Sequence, residues 1–518
     1  MAEDKKNKYG QYFTPSVVAD FMVSLLDVDK SKKILEPSCG EGVFLKALDD
    51  AGFVDVEGVE FDTECIIDKK HTVTYKDYLL DDNLTGIYGG IIGNPPYIRW
   101  KNLPNELKEG LNNCATWNNY CTSLSDYSTA FIAKSVNDLE SNGTLVFITP
   151  EYWLYTVHSQ KMRNLLLQEG SVDRIYHFDE AKIFNDVTAS LIIFRFKKSK
   201  NIPTTAWKIK HPNFYTHDCF EKLSKGETTE NYQKIDVQKF KPNKRWTLEA
   251  EDIASQLNNL EENCKQNSMG LFKFNHTTLG EVCDIANGMV SGLDKAFQID
   301  KHNLNEAELN ATIQVAKARQ LDGTKVNSTT TYIFITQTIN EDEFTSDYPK
   351  FFNNLNIYKE KLLKRYSYKK VAAYWEWSFL RNYKTLSKQC PKIFIPCKER
   401  LGTRDYFRFT LAPAGVYPTQ DVTAIILKDD TKESINYIQS YLLLPIVTQW
   451  IKSRGVIRGG VAEFSEAPLS SIPFRKINWQ SKEEVEIYNK INNLCSTGNY
   501  ADDETRIALE SEFLKLIS

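Results

Sequence analysis

No run of the 518 residues approaches the roughly 18 consecutive apolar side chains that a membrane-spanning helix needs, so the chain is read as having no membrane partner. The first residues lack the apolar core of a secretion signal. Cysteines are thinly spread, ten between Cys39 and Cys495, with no Cys-x-x-Cys pair and no clustering with the seven histidines. That spacing argues against a structural zinc site or a disulfide framework. It points to a reduced, cytoplasmic protein that needs no metal. Charge of one sign is lacking too: 64 basic residues face 68 acidic ones, a net of -4. Taken alone, that sum argues against a nucleic-acid binder, which often carries a basic domain. Internal repeats and low-complexity tracts are also missing.

What is present is an ordinary globular composition, 42% hydrophobic and 25% charged, long enough for more than one domain. The first 200 or so residues alternate short β-rich runs with helical patterns, the mark of an α/β sheet. Thr14-Pro15 predicts a helix start, with Thr14 as N-cap and Pro15 at the first helical position. Strands are expected at residues 33–35, 56–61, 91–92, 144–149, 174–178 and 190–196, and helices at 128–139 and 154–167. Residues 200–270 read as polar and irregular. Beyond them come short apolar runs, one helix over 433–451 and two closing helices over 482–494 and 502–517. The expectation is a Rossmann-like α/β sheet with helices on both faces in residues 1–250, then a separate α+β domain in 251–518.

The sharpest chemical feature is Gly93-Asn94-Pro95-Pro96-Tyr97, directly after a short strand. The prolines fix φ and donate no hydrogen bonds, so carbonyls of this rigid turn can face a ligand. Asn94 adds a side-chain carbonyl and Tyr97 an aromatic face. Together they suit a planar group bearing an amine: two acceptors take its N–H bonds and a ring stacks above it. Developing positive charge on that nitrogen would be stabilised by the same carbonyls. A turn that merely ends a strand could have the same composition. Its context adds weight. The loop Glu36-Pro37-Ser38-Cys39-Gly40-Glu41-Gly42 joins a strand to a helix, and its glycines let backbone approach a ligand. Twenty residues beyond Gly40, the next strand ends at Glu60-Phe61-Asp62, where an acid can bind ribose hydroxyls. Asp77, followed by Tyr78, is a third acid beside an aromatic, a pairing that suits an adenine amine and ring.

In this order the segments resemble the gamma-class S-adenosylmethionine-dependent N6-adenine DNA methyltransferases. Tyr9-Gly10-Gln11-Tyr12-Phe13-Thr14-Pro15 resembles their motif X, Leu35–Gly42 motif I, Glu60-Phe61-Asp62 motif II, Asp77-Tyr78 motif III and Asn94-Pro95-Pro96-Tyr97 motif IV. Thr188-Ala189-Ser190 through Phe196 resembles motif VIII. The resemblance runs through about residues 8–197 and implies a catalytic domain followed by a target-recognition domain. It implies that Thr14, Glu36, Pro37, Gly40, Glu60 and Asp77 hold S-adenosyl-L-methionine, with Tyr12 and Tyr78 packing around it. It further implies a catalytic turn of Asn94, Pro95, Pro96 and Tyr97, in which Asn94 and the Pro95 carbonyl accept from N6 of an adenine swung out of duplex DNA, sandwiched between Tyr97 and Phe196. Phe194 is read as lying on the opposite strand face from Phe196. RNA, cytosine N4 or a protein amide as substrate, and a non-catalytic DNA-binding subunit, stay open as alternatives. With motif X beginning near residue 8, no upstream nuclease is expected in this chain, and a separate restriction endonuclease is a possible partner.

The near-neutral sum hides an uneven distribution. Residues 1–93 hold 10 basic and 18 acidic residues, net -8, whereas 195–245 hold 13 and 5, net +8, and 359–408 hold 14 and 4, net +10. The last stretch interleaves Tyr366, Tyr368, Tyr374, Trp375, Trp377 and Tyr383 with cations, which suits phosphate contacts and base-edge reading. Lys369, Lys370 and Arg381, with Arg454 and Arg458 of the turn Arg454–Gly460, are the candidate contacts to double-stranded DNA. Residues 279–297, with Asn287-Gly288 and Ser291-Gly292, resemble the start of recognition domains in the family.

Overall fold

The computed structural model describes residues 14–65, 70–81, 85–184, 190–265, 277–366, 372–401, 404, 406–458, 460–497 and 503–517. The chain divides into two compact units, Met1–Ala254 and Ser255–Ser518.

The first unit is built on a nine-stranded sheet. Its strands are β1 Lys33–Glu36, β2 Asp55–Glu60, β3 Thr72–Tyr75, β4 Tyr88–Gly93, β5 Leu139–Pro150, β6 Ser171–Asp179, β7 Leu191–Lys197, β8 Thr204–Ile209 and β9 Tyr232–Val237, in the spatial order β3-β2-β1-β4-β5-β7-β6-β8-β9. β1 to β5 run parallel; β7 lies antiparallel between β5 and β6. Strand order reverses between β1 and β4, and in such sheets ligands bind outside the carboxyl ends of the strands at the reversal. Both faces are covered, as a parallel sheet requires. Helices α1 Ser16–Ser24 and α2 Val43–Asp50 pack with Ile34, Ile92, Val146 and Ile148 on one face. On the other, helices Tyr127–Asp138 and Gln160–Glu169 pack with Leu35, Ile91, Leu145 and Phe147. Adjacent strand residues divide between the two cores because side chains alternate.

Three sequence expectations change here. The stretch after residue 200 is not irregular: β8 and β9 extend the sheet, and a helix spans Glu251–Lys265. Short runs such as Tyr232–Val237 carry exposed polar residues on both faces and so read as loop. The helix expected from residue 154 begins only at Gln160. The buried Arg163 guanidinium donates to the carbonyls of Trp153 and Thr156, and Thr156 also accepts from the Ser159 N–H in a tighter turn ahead of the helix. The single helix expected over 433–451 is two, Ile435–Leu442 and Pro445–Arg454. Pro445 has no N–H to continue the first and stands at the first turn of the second.

The second unit contains a four-stranded and two three-stranded sheets. Tyr374, Trp375 and Trp377 are buried in its core, where Trp375 stacks on Phe344 and Trp377 Nε1 donates to the Ile333 carbonyl. The aromatic interleaving of the basic stretch is therefore mainly core packing, and of those rings Tyr366 is exposed. Tyr368 lies outside the described residues. No described helix is long and apolar enough to cross a membrane.

Candidate active site

The loop after β1 turns sharply into α2. Gly40 and Gly42 have φ of +51° and +82°, and Gly42 is the residue from which α2 starts. A side chain with a Cβ would be strained at both. Glu60, at the carboxyl end of β2, holds this turn: one oxygen accepts from the Gly40 N–H at 2.7 Å and the other from Asp62 N–H at 2.8 Å. The adjacent cavity is about 590 Å³ and is lined by Thr14, Glu36, the loop from Ser38 to Gly42, α2 residues and Asn94.

Glu36 is 1% exposed and its Oε2 has no hydrogen-bond partner. Burial, and then the nearby Glu60 carboxylate, push its pKa well above the usual carboxylate range. A buried acceptor left unpaired costs about 1–3 kcal/mol, so this oxygen fits a cationic or N–H-bearing ligand in the cavity. Cys39 is buried beside it, and desolvation followed by the Glu36 charge raises its thiol pKa, which leaves it a poor nucleophile.

Asn94 begins the turn after β4. Its Nδ2 donates to Thr14 Oγ1 at 3.2 Å and its backbone carbonyl accepts from Ser38 Oγ at 3.2 Å. Thr14 thus orients the Asn94 amide instead of capping α1, whose N-cap is Pro15 and has no side-chain cap bond. Pro95 is buried, Pro96 half-buried. The Tyr97 hydroxyl donates to the Ile148 carbonyl of β5 at 2.9 Å, which anchors the half-buried ring.

The other expected residues fare differently. Pro37 is buried behind the loop. Asp77 caps the turn Tyr78–Leu80, accepting from Leu79 N–H at 3.0 Å and from the Tyr127 hydroxyl at 3.2 Å. Burial raises its pKa. Tyr78, expected to face the cofactor, is instead a core residue: it is 1% exposed, and its hydroxyl donates to Asp138 at 2.7 Å. Phe196 is corrected as well. It pairs with Leu145, five positions back from Pro150 at the ligand-facing edge, or about 16 Å at 3.3 Å per residue. It is fully buried and shares its core with Phe194. Residues two apart on a strand lie on one face, so the two rings do not oppose one another. The β6–β7 connection does return to the ligand-facing edge; there Phe184 joins the apolar cluster against which Tyr97 packs. Tyr12, Thr188 and Ala189 lie outside the described residues.

Sequence reasoning missed Ser38 and Tyr152. Burial, and then the nearby Asp126 carboxylate, raise the pKa of the Tyr152 hydroxyl, with Tyr97 and Arg99 also close enough to act on it. A tyrosine just past a buried strand was the only signal for it.

Of the DNA candidates, Arg454 is wrong. It is 8% exposed, paired with Glu261 at 3.0 Å and bonded to Asn258 at 2.9 Å. Half-buried Arg381 gives its Nε to the Gly288 carbonyl at 2.6 Å. Lys369, Lys370 and the Arg458 side chain lie outside the described residues.

A parallel sheet reversing at β1/β4, a glycine turn held by a strand-end acid and an acceptor-rich turn on the neighbouring strand are the frame of a Rossmann-like methyltransferase. A family model described as "Eco57I restriction-modification methylase" matches residues 49–184, and one described as "N-6 DNA Methylase" matches residues 1–55. The Type II methyltransferase M.HindII of Haemophilus influenzae is 41% identical across 95% of this chain and 94% of its own. M.HincII of the same species is 39% identical across 95% and 94%. The restriction-modification enzyme MmeI, solved with DNA, is similar in fold at TM-score 0.59 and 12% identity, over 100% of this chain and 72% of that one. The chain belongs to the Type II methyltransferases of restriction–modification systems, the S-adenosylmethionine-dependent, site-specific adenine DNA methyltransferases.

Proposed function

We propose that the enzyme methylates N6 of an adenine turned out of duplex DNA into the space beside Asn94 and Tyr97. The observation that carries this reading is the Asn94–Thr14 hydrogen bond. It fixes which way the amide points and puts Oδ1 on the opposite side of the group as the acceptor. The Pro95 carbonyl is the second acceptor, and Tyr97, tethered through its hydroxyl, supplies the stacking face. Two acceptors on one amine aim its lone pair and stabilise the charge it gains, so positioning and electrostatics supply the rate. No covalent nucleophile is required.

The cavity chemistry fits S-adenosylmethionine. Glu36 supplies a buried carboxylate for its cationic portion, the Gly40–Gly42 turn lets backbone approach, Glu60 sets that turn, and Asp77 stands at the end of β3 for the adenine amine. When bound, the cofactor supplies an electrophilic methyl group. Arg381, Lys369, Lys370 and Arg458 stay as proposed DNA contacts of the second unit, where Lys361, Lys364 and Tyr366 are also exposed. A separate restriction endonuclease as partner and a cytoplasmic site of action complete the proposal.

The test uses Asn94→Ala and Tyr97→Ala. Methylation of duplex DNA falls by about 10²–10³ in each, the scale of losing one transition-state hydrogen-bond group, while DNA affinity stays within a few-fold. Full activity in either variant would sink the assignment.

A further inference from the structure

Beyond the catalytic turn, the segment Tyr155–Ser159 carries a feature the reaction has not used. Val157 is 85% exposed, the most exposed large apolar side chain among the described residues. The segment leaves β5 at Pro150, two residues past the carbonyl that holds Tyr97. Asp126, close enough to Tyr152 just ahead of this segment to act on its hydroxyl, is itself bridged to Arg99, two residues past Tyr97. Val157 therefore stands at the ligand-facing edge of the sheet, close in the chain to the residues around the target amine.

The tip is held rigidly. Arg163 is 2% exposed and donates to the carbonyls of Trp153 at 2.7 Å, Thr156 at 2.8 Å and Lys244 at 3.2 Å. All three acceptors are backbone, and burial lowers the guanidinium pKa to about 10. A buried cation is a costly way to shape a loop, and this one fixes two segments at once. The second is the basic turn around Lys241 and Lys244, both exposed. Asn243, at φ +59°, exchanges hydrogen bonds with Asn164 at 2.7 and 2.9 Å, and Trp246 N–H donates to the Leu154 carbonyl at 2.7 Å. Exposed Lys161 lies on the helix that follows the tip.

A rigid apolar point flanked by cations matches duplex DNA, in which stacked bases lie between two rows of phosphates. Architectural proteins insert apolar wedges between base steps in this way. We infer that Val157 enters the base stack where the flipped adenine leaves it, and that Lys161, Lys241 and Lys244 take the flanking phosphates. The inference rests on the base-flipping reading above.

The test uses the full-length enzyme and a duplex oligonucleotide carrying its mapped target site, with 2-aminopurine in place of the target adenine for fluorescence. A second duplex has an abasic site opposite the target, so that less stacking must be broken. Wild type brightens the probe on binding. Val157→Asp loses that rise and methylates the ordinary duplex at least about tenfold more slowly, because the cost of unstacking goes uncompensated. The abasic duplex restores its rate to near wild type, and Val157→Leu behaves as wild type on both. Lys241→Ala with Lys244→Ala leaves flipping intact and lowers the salt slope of binding by about two. Wild-type flipping and rate in Val157→Asp would overturn the wedge alone, pointing to a protein partner or bare solvent at the tip. Equal loss on both duplexes would overturn it too, as a general structural defect. A wild-type enzyme that methylates without brightening the probe would overturn the flipping reading, and the wedge with it.

Discussion

Replacing Glu36 by Gln should make the cofactor-free enzyme more stable and a worse binder of its cofactor. The side chain is 1% exposed, its Oε2 is unpaired, and the Glu60 carboxylate lies close enough to repel it. A buried, unpaired charge costs more than a neutral amide of the same shape, so removing that charge should raise the melting temperature by about 2–4 °C per kcal/mol for a unit of this size. The pH dependence gives the sign. Burial, reinforced by Glu60, raises the folded-state pKa above the ordinary 4.5, so between those two values the folded state binds more protons than the unfolded one. Wild-type stability therefore declines as pH rises through that window. The variant lacks this decline, and its advantage should be small near pH 4.5 and larger at pH 8. Binding moves the other way. A hydrogen bond to a charged group is worth about 1.5–3 kcal/mol, which makes affinity for S-adenosylmethionine about 10- to 150-fold weaker. Scanning calorimetry of the cofactor-free proteins at both pH values, with titration calorimetry of the cofactor, measures both halves. A variant that melts below wild type at pH 8, or binds the cofactor equally well, would refute the role given to Glu36.

Other residues separate structure from function in the same manner. Arg454→Ala should destabilise the enzyme by about 1.5–3 kcal/mol in denaturant titrations, the scale of a hydrogen bond to a charged group, and leave the salt slope of DNA binding unchanged. A lowered slope would return Arg454 to the DNA. Phe196→Ala should cost about 3–5 kcal/mol of stability as a core cavity, whereas Phe196→Leu keeps wild-type kcat and KM; a kcat loss in the leucine variant at full folding would place the ring at the substrate. Tyr78→Phe removes the donor to Asp138 and should cost about 1–2 kcal/mol. Its KM for S-adenosylmethionine should stay at the wild-type value, and a several-fold rise would put Tyr78 back against the cofactor.

The catalytic half of this fold was legible because its chemistry is local. Loop Glu36–Gly42, Glu60 and Asn94–Tyr97 each follow a strand, so reading the strands ordered the site. Contacts distant in sequence were not legible. Thr14 reads as a helix cap, yet its hydroxyl accepts from Asn94, 80 residues away. Tyr78 follows an acid as a ligand-facing aromatic would, but the helix Tyr127–Asp138 supplies Asp138 and draws its hydroxyl into the core. Phe196 misled because distance along an antiparallel strand depends on where that strand pairs, which local pattern does not reveal. Arg454 and the tryptophans of the basic stretch show the same limit. Composition reports how many cations and rings a segment holds, and tertiary packing decides which of them reach solvent.

Sequencing the DNA of a methylation-free host that expresses the wild-type chain or Asn94→Ala tests the central claim most directly. The account predicts N6-methyladenine at one consensus site throughout the genome with the wild type, and its loss with the variant. Modified adenine that persists in Asn94→Ala, or a wild type that leaves the host DNA unmodified, would contradict it.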